Sequence, residues 1–215
     1  TKSNESGILF KNLDINLQRG DKIGVISRNQ MAVTNLFKIL MDEEKADSGS
    51  FKYGSTITSA YLPNENSEYF KNDLNLIDWL RQYSSEKDET FIRGFLGRML
   101  FSGEESLKKS KVLSGGEKVR CMISRMMMQS ANFLILDEPT NHLDLESITA
   151  FNDALVRFKG TLMFTTHDHE FMQTVCNRII ELTPTGCIDR LCTYDEYITN
   201  PEIKEMRDAM YGITA

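Results

Sequence analysis

The chain has 215 residues, 40% of them hydrophobic and 26% charged, with a net charge of −6. That length is ample for a sizeable core, and no apolar run approaches the ~20 residues needed to cross a bilayer. The acidic balance gives no global reason to expect nucleic-acid binding.

Thr1-Lys2-Ser3-Asn4-Glu5 has no apolar signal core and no initiator Met, so the chain reads as a piece of a longer protein. Ile8 to Leu17 alternates enough to predict strand character. The turn Arg19-Gly20-Asp21 then precedes a short apolar strand at Lys22 to Ile26. After a polar loop, Leu36, Phe37, Ile39 and Leu40 have helical spacing, which predicts a helix over Thr34 to Met41. Strand, loop and helix in that order is the layout of a phosphate-binding loop.

From Asp47 to Leu62 turns and strands are expected, with Gly49 and Gly54 as breaks; from about Ser67 to Lys111 the pattern is helical. The basic run Lys108-Lys109-Ser110-Lys111 fits a solvated turn better than a binding patch. Leu113-Ser114-Gly115-Gly116-Glu117 opens a helix over Glu117 to Gln129, whose apolar positions fall three and four apart. A Ser and two glycines there expose backbone N–H groups to an anion with the helix dipole behind them. The plainer alternative is a Ser N-cap followed by a glycine turn.

Phe133 to Leu136 is an apolar strand delivering Asp137 and Glu138 at its carboxyl end, where ligands bind on parallel sheets. Asp137 suits Mg²⁺, a hard cation, and Glu138 suits a base acting on water. A helix over Glu146 to Phe158 and a strand over Leu162 to Thr165 follow, the latter ending near His167. Strands alternating with helices predict an α/β fold with a largely parallel sheet. Four cysteines without CxxC spacing read as reduced thiols, and no internal repeat is visible.

These motifs together resemble a nucleotide-binding domain of the ABC ATPases over nearly the whole chain. Leu113 to Glu117 matches the ABC signature. More narrowly, Glu138-Pro139-Thr140-Asn141-His142-Leu143-Asp144 and the later Tyr194-Asp195-Glu196-Tyr197 resemble the ABC-F family, soluble tandem-domain proteins that act on ribosomes. Asn72 to Leu80 resembles the second domain of one ABC-F branch. The resemblance implies a P-loop ABC fold with a mostly parallel core sheet, an antiparallel β part and a helical insert at 66–112. It also implies Mg²⁺-dependent ATP hydrolysis. Glu138 would be the base, Asp137 and Thr34 would lie around the metal, and His167 would sense the γ-phosphate. Asn141 to Asp144 would form the D-loop, and Ser114 to Gly116 would act on the nucleotide of the other ABC domain of the same tandem chain.

The chain departs from that family at its phosphate loop. GxxxxGK[ST] falls on Ser27-Arg28-Asn29-Gln30-Met31-Ala32-Val33-Thr34, followed by Asn35. Ser27 and Ala32 replace both glycines, and Val33 replaces the lysine, while Thr34 keeps its hydroxyl. Losing one member of a buried charge pair costs about 2–5 kcal/mol, or roughly 30- to several-thousand-fold in affinity. Arg28 is a candidate substitute cation. Asn4 stands where the family stacks an aromatic on adenine, and Asn64 stands for its switch glutamine. The expectation is therefore asymmetric: a weak site of its own, and a signature that completes the partner's. A cytoplasmic location is implied, with no membrane insertion and with ribosome or tRNA reached through regions outside this chain. Two rivals stay open: the ATPase subunit of a membrane transporter, and a regulatory lobe that binds nucleotide without hydrolysing it.

Overall fold

The structure, a computed structural model, describes residues 1–212. A short antiparallel pair, β1 (Lys2–Asn4) and β2 (Gly7–Phe10), leads into β3 (Lys22–Ser27) and helix α1 (Gln30–Leu40). After β4 (Ser59–Leu62) come the small helices α2 (Leu76–Arg81) and α3 (Glu89–Arg98). Next are α4 (Gly115–Met128), β5 (Phe133–Asp137), α5 (Leu145–Arg157) and β6 (Thr161–Thr165). The chain continues through α6 (His169–Val175), β7 (Arg178–Thr183), β8 (Gly186–Arg190), α7 (Tyr194–Thr199) and α8 (Pro201–Met210). Each of these eight helices starts on a residue whose side chain accepts from the first-turn backbone, among them Asn29, Ser114, Asp144 and Asn200.

The main sheet runs β4-β5-β6-β3-β7-β8 and is parallel except for β8. Its strands are apolar on both faces because both faces are covered. Alternate residues divide between two cores. Ala60, Leu62, Leu136, Leu162, Phe164 and Ile179 join α4 to α6 on one side. On the other, Tyr61, Ile23, Val25, Ile135, Met163 and Ile180 lie beneath α1 and β2.

Residues 67–112 lie between β4 and α4, and their two ends are stitched together. Leu76 N–H donates to Lys108 O at 3.1 Å, and Ser110 N–H donates to Leu74 O at 2.8 Å. Trp79 stacks on Phe70 with ring centroids 4.7 Å apart and donates to Tyr69 O at 2.7 Å. Arg125 of α4 lies between the rings of Tyr69 and Tyr83, at 4.7 and 4.5 Å, and so ties the signature helix to this segment.

Three expectations change. The strand from Ile8 ends at Phe10, because Asn12 takes a left-handed φ of 53° and turns the chain. Of Asp47 to Leu62 only β4 pairs, among the described residues. Helix α1 starts at Gln30 and not Thr34, with consequences at the site. The basic run behaves as a solvated turn. Lys109 and Lys111 pair with Asp73 at 3.2 and 2.6 Å, and Lys108 with Glu117 at 2.7 Å. All four cysteines are free.

Candidate nucleotide site and signature turn

Only Arg28 and Asn29 separate the end of β3 from the start of α1. A phosphate loop needs a longer excursion whose free N–H groups face the anion. Here Gln30 to Val33 are already helical, and the local donors are spent within the protein. Arg28 N–H donates to Tyr211 Oη at 3.3 Å, and Asn29 N–H donates to Ser27 Oγ at 3.2 Å. Met31 N–H donates to Asn29 Oδ1 at 3.1 Å, and Ala32 N–H donates to Asn29 O at 2.9 Å. Val33 is 0% exposed and packs in the core beneath α1, with Ala32 beside it. As it stands, this loop does not fit a triphosphate.

Arg28 is engaged as well. Its guanidinium lies 4.1 Å from the Tyr211 ring centre and 3.9 Å from Asp208. Asn4 is placed beside the loop, its amide 3.9 Å from the Met31 sulfur. Asn35 turns back along the helix, its amide donating to Met31 O at 2.8 Å.

Strand β5 delivers Asp137 to this place, as the sequence predicts. Its Oδ2 accepts from Thr34 Oγ1 at 2.8 Å and its Oδ1 from Gln30 Nε2 at 3.4 Å. Burial pushes the Asp137 carboxyl above its ordinary range, only partly offset by the Thr34 and Gln30 hydrogen bonds. A hydroxyl and a buried carboxylate with no ion pair among the described residues are a donor set that fits Mg²⁺. Glu138 follows with a left-handed φ of 52°, a strained conformation for a residue with a side chain. Burial raises its pKa too, with His167 opposing the shift. Its Oε1 is buried without a hydrogen bond and lies 3.4 Å from His167 Nε2, while Oε2 accepts from His167 N–H at 3.3 Å. The His167 side chain itself is 84% exposed.

These shifts set a stability prediction. A carboxyl whose folded pKa is raised favours folding when protonated, and that advantage is lost as pH rises through the folded value. Where it is ionised, Asp137 therefore costs the fold stability. Asp137→Asn keeps an acceptor for Gln30 and a partner for the Thr34 hydroxyl. It should raise Tm at neutral pH by about 2–4 °C for each kcal/mol recovered. Melts across pH should show the gain shrinking as pH falls through the raised pKa; a gain that is flat or absent would dismiss the burial argument.

The residues after Glu138 form a tight turn. Asn141 N–H donates to Glu138 O at 3.2 Å, and Leu143 N–H donates to Thr140 O at 3.2 Å. Thr140 and Thr166 hydroxyls meet at 2.7 Å in the interior. Asn141 Nδ2 reaches Asn64 Oδ1 at 3.3 Å, so these two predicted residues do meet. Asp144 caps α5, accepting from Ser147 N–H at 2.8 Å.

Leu113 is buried, and Ser114 opens α4 with a capping box. Its Oγ accepts from Glu117 N–H at 3.3 Å, while Glu117 Oε2 accepts from Ser114 N–H at 2.9 Å. Gly115 and Gly116 are wedged against the turn after β5. A Cβ on Gly115 would lie 2.9 Å from His142 Cγ, and one on Gly116 would lie 2.6 Å from His142 O. His142 itself has a φ of 67°. Among the described residues, no hydrogen bond or ion pair joins Ser114 to Glu117 with Ser27 to Thr34. Sequence reasoning missed Tyr211 and Asp208, which no motif marks, and the Gly116–His142 contact, which depends on tertiary approach.

Comparison with known proteins gives the family and the fold. The sequence profile of the ABC transporter family matches residues 10–141. An uncharacterized ABC transporter ATP-binding protein of Bacillus subtilis, YkpA, is 56% identical over 99% of this chain and 40% of its own length. The probable ATP-binding protein YbiT of Escherichia coli O157:H7 is 42% identical over 95% of the chain and 39% of its own. ABC transporter F family member 5 of Arabidopsis thaliana is 31% identical over 86% of the chain and 27% of its own. The chain thus spans about 40% of the length of the most similar of these relatives. The fold matches a solved metal-chelate-type ABC transporter with a TM-score of 0.72, at 19% identity, over 96% of this chain and 84% of that one. A dimeric ATP-binding cassette in a post-hydrolysis state with ADP and phosphate gives 0.70, at 16% identity, over 89% and 94%. No helix among the described residues is long and apolar enough to cross a membrane. The chain belongs to the ABC transporter family of ATP-binding domains.

Proposed function

We propose that this ABC domain serves mainly the ATP site of a partner domain, and that its own nucleotide site is held shut. One observation carries the reading. The loop donors at Arg28, Asn29, Met31 and Ala32 are bonded within the chain, while Ser114 to Gly116 form a helix start, exposed at Ser114 and Gly115, that this loop does not use. Asp137 and Thr34 would hold Mg²⁺, which when bound neutralises phosphate charge. Glu138 is the base for water, and His167 beside it marks the position of the γ-phosphate.

The partner is the other ABC domain of the same tandem protein. The Glu138 to Asp144 run and the Arabidopsis F-family relative support an ABC-F, cytoplasmic protein whose other segments reach the ribosome. A second reading, a regulatory lobe that never turns ATP over, gains from the shut loop.

Isothermal titration of the chain with Mg-ATP should show a Kd weaker than roughly 100 μM, from the lost charge and stacking. A low-micromolar Kd would overturn the shut-site reading. Glu138→Gln in the intact protein reads what this domain's own site contributes: unchanged turnover leaves hydrolysis to the partner's site, whereas loss of turnover shows that this site is open and catalytic.

A further inference from the structure

We infer that the end of helix α8 is a latch on the degenerate loop, holding Arg28 away from any phosphate-bearing ligand. The inference rests on the reading of this loop as the remnant of a phosphate site. It goes further in assigning the closure to a separable element of the fold.

Helix α8 is anchored from Ile203 to its last residue, Met210. Arg207 Nε pairs with Glu181 at 2.6 Å, and Glu181 is 1% exposed and also accepts from Tyr197 Oη at 2.7 Å. Ile203 is buried beside it, and Thr185 Oγ1 donates to Met210 O at 2.9 Å. These contacts fix where the helix points.

The two side chains that reach the loop, Asp208 and Tyr211, are held by weaker means. Tyr211 Oη donates to Leu182 O at 3.0 Å and accepts the Arg28 N–H, while its ring covers the guanidinium. Ser27 Oγ donates to the same Leu182 carbonyl at 2.9 Å, so the loop and the latch share one anchor point on β7. Asp208 lies 3.9 Å from Arg28 in a pair that is 47% and 38% exposed. Exposed pairs and exposed cation–π contacts are individually weak, as is one net hydrogen bond. With the helix backbone held at Met210, the latch opens by rotation of the Asp208 and Tyr211 side chains, without unfolding α8.

Chemically the latch is a set of phosphate mimics. Asp208 supplies the negative charge and Tyr211 Oη the acceptor that a phosphate oxygen would bring to Arg28. A ligand that takes Arg28 must displace both, so its apparent affinity falls by the fraction of time the latch is open. The class of ligand is a polyphosphate, whether carried on a nucleotide or free, and the two are told apart by titrating Mg-ATP and inorganic tripolyphosphate in parallel.

The test titrates both ligands into the chain and its variants, with circular dichroism as the folding control. Tyr211→Ala should tighten tripolyphosphate binding by about tenfold, and Tyr211→Phe, which keeps the ring but loses the acceptor, by about threefold. Asp208→Asn, at an exposed position that keeps the fold whatever Tyr211→Ala does, should tighten it about twofold. Adding Arg28→Ala to Tyr211→Ala should remove the gain. Equal gains for the two ligands assign the site to the polyphosphate; a gain for Mg-ATP alone shows that the nucleoside is recognised as well. Weak binding unchanged by all three latch variants overturns the latch and leaves the shut-site reading standing. So does a gain that survives Arg28→Ala. Tight binding by the unaltered chain removes both.

Discussion

Arginine in place of Ser114 is expected to lower ATP turnover by the intact protein at least about 100-fold, the effect of losing a preorganised donor at a reacting phosphate. Ser114 is exposed and caps α4, so the fold loses only its cap, about 1 kcal/mol. Val119, Met122, Ile123 and Met126 keep the helix buried against the sheet. On the reading proposed above, the side chain would fill the space over the helix start where a partner's γ-phosphate docks. Steady-state ATPase assays measure the loss, and a thermal melt confirms the fold. Wild-type turnover in a folded variant would remove the reading in which the signature works in trans.

Gly115→Asp looks equivalent from the sequence, where both glycines read as an exposed turn. The structure separates them from Ser114. Any side chain at Gly116 would press on the His142 carbonyl, and one at Gly115 on the His142 ring. Since Asn141 N–H bonds to Glu138 O, such a push travels toward Glu138 itself. Loss of turnover in a glycine variant would therefore mix two causes, and Ser114→Arg is the cleaner change.

The continuous apolar runs Phe133 to Leu136 and Leu162 to Thr165, alternating with helical segments, made the parallel sheet legible, because both faces of those strands are covered. The acids at the end of β5 were legible for the same reason: a buried strand can only present them at its end. The start of α1 was not. The spacing of Leu36, Phe37, Ile39 and Leu40 and the loop motif laid over Ser27 to Thr34 point to a start at Thr34, and Asn29 as an N-cap was the overlooked signal. Extended segments such as residues 11–17 read as strand by alternation, yet alternation specifies a face and not a pairing partner. Tyr211 meets Arg28 across 183 residues of sequence, a contact that no local pattern encodes.

Repairing the loop by Ala32→Gly and Val33→Lys should tighten ATP binding at least tenfold if the missing cation is the main defect, since a buried charge pair is worth about 2–5 kcal/mol. The structure adds a condition. Val33 is 0% exposed within an apolar cluster, so Val33→Lys alone puts an ammonium group among hydrocarbon. That costs several kcal/mol unless the side chain escapes, and each kcal/mol lowers Tm by about 2–4 °C. Escape requires the first turn of α1 to unwind. Glycine disfavours a helix by about 1 kcal/mol relative to alanine, so Ala32→Gly helps, and Gln30→Gly helps again. The latter also releases Asp137 Oδ1 from the Gln30 amide for a metal. The expected order is a destabilised single variant with unchanged affinity, a double variant with a gain of about tenfold, and a triple variant tighter still. Isothermal titration beside thermal melts measures both axes. If Val33→Lys alone restores binding without lowering Tm, the helical start of α1 is no obstacle. If the triple variant stays weak, the limit lies on the adenine side, where Asn4 stands beside Met31 in place of the family's stacking aromatic.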